Sequence, residues 1–118
     1  AGRRPGAARA LAVSLGVEAG EAAWGQPVPG AIVVNATPLG MHGEALPPGV
    51  VEEAAGLIDL PYGDAATPAA AAARRLATPG ADGREVLVAQ AAFSFRLWTG
   101  REAPLDAMRR AAAGPQVG

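Results

Sequence analysis

Ala31-Ile32-Val33-Val34-Asn35 is an unbroken apolar run of strand length that closes on an amide. Without the polar alternation of a half-solvated sheet, such a run predicts a strand buried on both faces, as in parallel sheets. Gly56-Leu-Ile-Asp-Leu60 is a second run of the same kind, ending in Pro61-Tyr62-Gly63-Asp64. Gly25-Gln-Pro-Val-Pro-Gly30 is a turn ahead of the first run, and residues 36–49 read as a loop between the two.

Helices are expected on either side of these strands. Pro5 to Leu15 has proline at the first helical position, Ala8, Leu11, Ala12 and Leu15 on one face, and Gly16 as its stop. Thr67-Pro68 opens a second helix with an N-cap hydroxyl and a proline at N1, running to about Ala77. Residues 78–83 read as a turn. Arg84 to Thr99 is the strongest helical pattern, stopped by Gly100, and Pro104 to Ala113 forms a last amphipathic helix. Val86, Gln90, Phe93 and Leu97 share one face of the long helix and Leu87, Ala91, Ser94 and Trp98 the next, so burial on more than one side is expected. Gln90 is conspicuous in that setting, because a buried amide must find partners.

Strands alternating with helices give an α/β fold class with a parallel sheet. Two strands and four helices are fewer elements than a doubly wound domain has, and no two glycines are spaced as G-x-G, so the dinucleotide fingerprint is missing.

Composition narrows the chemistry. The 118 residues carry 10 basic side chains, all arginine, against 11 acidic ones, with no cysteine and a single histidine, His42. A net charge of −1 offers no field for nucleic acid and no polybasic membrane anchor. Disulfides, a thiol nucleophile, a cysteine or histidine metal cluster and a serine triad are all excluded. So is every lysine mechanism, since arginine stays protonated at any working pH. No apolar run reaches membrane-spanning length and no signal-peptide pattern opens the chain, so a cytoplasmic protein is expected.

Three segments, in order, are similar to the shikimate dehydrogenase family: Asn35-Ala-Thr-Pro-Leu-Gly-Met41; Asp59-Leu-Pro-Tyr62 with Thr67-Pro68; and Asp82-Gly83 through Val88-Ala-Gln90 to Leu97-Trp-Thr-Gly100. The resemblance covers essentially the whole chain and corresponds to the C-terminal, NADP-binding half of the family. It implies a partial Rossmann-like NADP-binding domain over 1–83, C-terminal helices over 84–118, and a substrate domain that is not among these residues. Gly2-Arg3-Arg4-Pro5 looks like the family's Asn-Arg-Thr motif, which closes the second Rossmann strand.

The resemblance also implies a set of site residues. Rossmann proteins choose NADP with arginine on the 2′-phosphate and NAD with an acid on the ribose; Arg3 and Arg4 with no acid beside them suit NADP. By residue type alone, without the later motifs, the pair reads first as solvated charge. Asn35, Ala36 and Thr37 would border the cofactor, with Pro38 where the family usually has serine. The backbone of Leu60 would meet the nicotinamide, and Gly83 would let the ring approach the chain. Tyr62 and Gln90 would bind substrate hydroxyls; otherwise they read as a half-buried packing tyrosine and a satisfied core amide. His42 matches no family position and reads as a surface residue. Pro61, Gly63-Asp64, Arg84-Glu85-Val86 and Ala91 depart from the usual pattern.

The implied reaction is hydride transfer between NADPH and 3-dehydroshikimate to give shikimate, in chorismate and aromatic amino-acid biosynthesis. The family's catalytic lysine and aspartate belong to the substrate domain, so no catalytic residue is assigned here, and the chain is expected to be an inactive C-terminal fragment of a monomeric or homodimeric enzyme. Two alternatives stay open: a quinate/shikimate dehydrogenase, and a non-catalytic nucleotide-binding or partner module derived from the family. The apolar faces of the long helix are expected to be uncovered.

Overall fold

The computed structural model describes residue 2 and residues 4–114. The elements run in the order α1 (Ala7–Leu15), β1 (Ile32–Asn35), β2 (Gly56–Asp59), α2 (Pro68–Arg75), β3 (Gly80–Asp82), α3 (Gly83–Thr99) and α4 (Leu105–Ala112). The three strands form one parallel sheet in the order β1-β2-β3. This is an α/β architecture, as expected.

The residues 78–83 expected to turn instead contain β3. Gly80-Ala-Asp82 has little strand propensity of its own; pairing with β2 supplies the structure, with Leu57 opposite Gly80 and Asp59 opposite Asp82. The approach is close enough that a Cβ at Gly80 would overlap the carbonyl of Leu57. Only glycine fits there.

One face of the sheet is packed. Val33 of β1 and Leu57 of β2 meet Ala69, Ala72 and Ala73 of α2, with Val51 and Leu46 from the preceding loop completing the core. The small side chains of α2 bring its axis close to the strands, and burial of Leu57, 2% exposed, contributes about 2 kcal/mol. The opposite face departs from the expected burial on both sides: Ile32 and Val34 are 70% and 55% exposed. No described element covers them.

The helix ends reflect local chemistry. Thr67 caps α2, its hydroxyl accepting from the Ala70 N–H at 3.1 Å. Asp82 caps α3 by accepting from the N–H groups of Arg84 and Glu85, and Gly100 ends that helix at φ 67°. Gly16 ends α1 in the same left-handed conformation. Pro5 lies outside α1, however, because Gly6 is left-handed and the helix begins at Ala7.

The long helix departs from the burial on more than one side that its periodicity suggests, and agrees with the expectation that its apolar faces are uncovered. Of α3 only Gly83 and Val88 are buried, while Phe93, Leu97 and Trp98 are 73%, 72% and 81% exposed. Periodicity reports a helix's apolar faces; whether anything covers them depends on neighbours. Here α4 covers one side, tied by an ion pair of Arg109 to Glu85 at 3.5 Å. Gln90 is exposed rather than embedded in a core. No helix among the described residues is long and apolar enough to cross a membrane.

Candidate functional site

All three strands end in register on a polar residue. Asn35 lies opposite Asp59, and Asp59 opposite Asp82. Partners in register on parallel strands share a face, so the three side chains form a row at the carboxyl edge of the sheet, on the side packed by α2. That edge is where open parallel sheets take ligands.

Each member of the row anchors the segment that leaves its strand. The Asn35 amide donates to Asp59 Oδ1 at 2.7 Å and to the Leu39 carbonyl at 3.1 Å. Its Oδ1 accepts from the Thr37 N–H at 3.1 Å and the Thr37 hydroxyl at 2.7 Å. The full capacity of the amide is thereby used. Thr37 Oγ1 in turn accepts from the Leu39 N–H at 3.2 Å. Both side chains are therefore spent inside the loop, and residues 36–38 offer outward mainly backbone, Ala36 and Pro38.

Asp59 is fully buried, with 0% exposure. Its second oxygen accepts from the hydroxyl of Thr67, the α2 cap. A buried carboxylate needs such partners, and the nearby N-terminus of α2 favours negative charge. Asp82 completes the row: besides capping α3, it pairs with Arg74 of α2 at 2.8 Å.

The loops after β1 and β2 face each other across an open cleft of about 440 Å³, with Ala36, Thr37, Pro38 and Met41 on one wall and Leu60, Pro61 and Tyr62 on the other. The Leu60 N–H donates to the Asn35 carbonyl at 3.1 Å, joining the walls at their base. Tyr62 is half exposed. Behind it lies a hollow of about 120 Å³ that Arg74 and Arg84 also line, and the Arg84 guanidinium donates to the Gly63 carbonyl. Gly83 is buried against this segment: a Cβ there would overlap the Leu60 carbonyl and come within 2.8 Å of that of Pro61. Its glycine character is thus already demanded by the chain's own packing.

At the outer end of the first loop, Glu44 Oε2 accepts from the N–H groups of Gly40 at 3.1 Å and His42 at 3.0 Å. Its own backbone N–H, then those of His42 and Gly40, hold the carboxyl below the ordinary glutamate range. His42 is exposed.

The structure thus brings Asn35, Ala36, Thr37, Leu60, Tyr62 and Gly83 to one edge. Gln90 instead lines a separate groove of about 380 Å³ between α3 and α4, with Ser94, Trp98 and Met108. Arg4 is exposed near the start of α1, and Arg3 lies outside the described residues. No group of acidic and histidine residues able to hold a metal occurs among the described residues. The linking roles of Asp59, Thr67 and Asp82 were not assigned from sequence. The signal in the sequence was partial: Asp59 stands one residue before the end of the second apolar run, Asp82 stands just ahead of the long helix, and Thr67 is legible only as a helix cap.

Comparison with known proteins agrees with this geometry. Residues 83–113 match the family described as shikimate 5′-dehydrogenase C-terminal domain. A shikimate dehydrogenase (NADP(+)) of Anaeromyxobacter sp. strain Fw109-5 is 41% identical over 98% of this chain. The chain spans only 45% of that relative. Among solved structures, an Ael1 enzyme from Pseudomonas putida aligns with 96% of the chain and 44% of its own length, at TM-score 0.67 and 34% identity. Shikimate dehydrogenase 1 from Peptoclostridium difficile aligns with 74% of the chain and 35% of its own length, at TM-score 0.57 and 26% identity. With this sequence similarity and this Rossmann-like parallel sheet, the chain belongs to the shikimate dehydrogenase family.

Proposed function

We propose that the chain forms the cofactor-facing part of an NADP-dependent shikimate dehydrogenase, which reduces 3-dehydroshikimate to shikimate in the cytoplasmic route to chorismate and the aromatic amino acids. The observation that carries this reading is the cleft between the loops after β1 and β2 at the carboxyl edge of the sheet.

The residues fit one end of the cofactor. The walls at Pro38, Met41, Leu60 and Pro61 are apolar and open, while the polar atoms of Asn35 and Thr37 are turned inward and paired, which suits a flat nicotinamide ring. Arg3-Arg4, with no acid beside them, suit the adenosine 2′-phosphate. No G-x-G pair occurs in the sequence, so the pyrophosphate has no glycine cradle among these residues.

When bound, NADPH supplies the hydride. The chain's own contribution is placement: the Leu60 backbone borders the ring, Ala36 and Thr37 close the opposite wall, and Gly83 holds the Leu60 segment against α3. We assign the hydroxyls of the substrate ring to Tyr62 at the cleft and to Gln90, which is exposed in the separate groove between α3 and α4 and approaches the substrate from that side. The reduction also needs a proton, and these residues include no lysine and one exposed histidine, His42. We assign the proton donor to the substrate-binding part of the enzyme. Residues 1–83 then form a partial cofactor domain and 84–118 its C-terminal helices, inactive by themselves.

The test is a calorimetric titration of the purified chain with NADP(+) and with NAD(+), paired with a shikimate oxidation assay. Tighter binding of NADP(+) and no turnover are expected. Equal affinity for the two nucleotides would overturn the cofactor assignment, and turnover by this chain alone would overturn the division of labour.

A further inference from the structure

We propose that Asp59 is a positioning residue for the nicotinamide-facing cleft, holding its two walls in one arrangement; this rests on the proposed reading of that cleft as the nicotinamide site. The carboxylate is fully buried and makes no ion pair among the described residues. Its two oxygens serve different elements: Oδ1 takes the Asn35 amide at the end of β1, and Oδ2 takes the Thr67 hydroxyl at the start of α2.

Both bonds lead to the cleft. Through Asn35, Asp59 orients the amide that fixes Thr37 and Leu39, and hence the wall at 36–39. Asp59 also lies immediately before Leu60, and Thr67 anchors the far end of the segment that carries Tyr62. The side chain thus sits where both walls begin, and the two are set relative to each other by one group.

The carboxylate matters as an acceptor on both oxygens. An amide at 59 could still accept from Asn35 only by turning its NH2 toward Thr67. The Thr67 hydroxyl already accepts from Ala70, and its proton would then lose its acceptor in a buried site.

The experiment uses the 118-residue chain and the variants Asp59→Asn, Thr67→Val, Thr67→Ser and Val88→Ala, the last a buried α3 residue distant in sequence from both walls. Amide exchange and NADP(+) affinity are measured on each. Asp59→Asn and Thr67→Val are expected to speed exchange at the Thr37 and Leu39 amides while the Leu57 amide, bonded to the Pro79 carbonyl, keeps its protection. They should weaken NADP(+) binding about tenfold, a difference of about 1.4 kcal/mol. Thr67→Ser should restore both properties, and Val88→Ala should lower the melting temperature with affinity unchanged. Affinity that instead tracks melting temperature through all four variants, or unchanged exchange at Thr37 and Leu39 in Asp59→Asn, overturns the proposal. If the wild-type chain fails to bind NADP(+), the proposed function fails, and exchange at Thr37 and Leu39 still decides whether Asp59 sets the wall.

Discussion

The Asn35 amide nitrogen lies 2.7 Å from the Asp59 carboxylate, and the two residues face each other in register at the ends of neighbouring parallel strands. The pairing depends on one partner being a donor. Asn35→Asp would set two buried carboxylates against each other and strip the Leu39 carbonyl of its donor. A loss of about 3 kcal/mol at neutral pH is expected, read by urea unfolding. Because like charges raise the pKa of one carboxyl, the loss should shrink as pH falls toward about 4. A variant as stable as wild type at neutral pH would contradict the geometry.

Gly83 sits where a Cβ would overlap the Leu60 and Pro61 carbonyls. Gly83→Ala must therefore push α3 away from the segment that carries Tyr62, with a cost of about 2 kcal/mol. Thermal melting checks this. At Gly63, where a Cβ would meet open space, the same substitution should change stability by less than about 0.5 kcal/mol.

Much of the fold was legible in the sequence because local chemistry and tertiary structure agree. The runs 31–35 and 56–60 became strands over Ile32–Asn35 and Gly56–Asp59, Thr67 became a cap, and Gly16 and Gly100 became left-handed helix stops. β3 was not legible, since Gly80 and Ala81 have no strand preference and are held by β2. The exposure of Gln90 was not legible either, because periodicity identifies an apolar face but not whether a neighbour lies on it. Asp59 and Thr67, eight residues apart, acquire a joint role only when α2 folds back over the end of β2.

Glu44 makes the outer loop sensitive to acid. Its carboxyl is held below the ordinary range by N–H groups of its own residue, His42 and Gly40. A depressed folded pKa stabilises the loop at pH above the unfolded value, and that contribution is lost as pH falls through the folded one. The Gly40 and His42 amide resonances should therefore shift together on acidification, with a midpoint below that of a free glutamate. Glu44→Gln should abolish the shared transition, and a midpoint at the ordinary glutamate value would contradict the clamp.

Phe93, Leu97 and Trp98 project from α3 with 73%, 72% and 81% exposure. Apolar surface of this extent favours association, so light scattering should report concentration-dependent self-association of the chain. Leu97→Glu together with Trp98→Arg should reduce it while changing stability by about 0.5 kcal/mol or less. Unaltered association would mean that another surface drives it.

The most direct test of the cleft is the perturbation of backbone amide resonances on titration with NADP(+). Perturbations concentrated at Ala36, Thr37, Met41, Leu60, Tyr62 and Gly83, with a second set confined to Arg3 and Arg4, are expected. Perturbations confined to the groove between α3 and α4, or spread evenly over the arginines of the surface, would contradict a nicotinamide site at the carboxyl edge of this sheet.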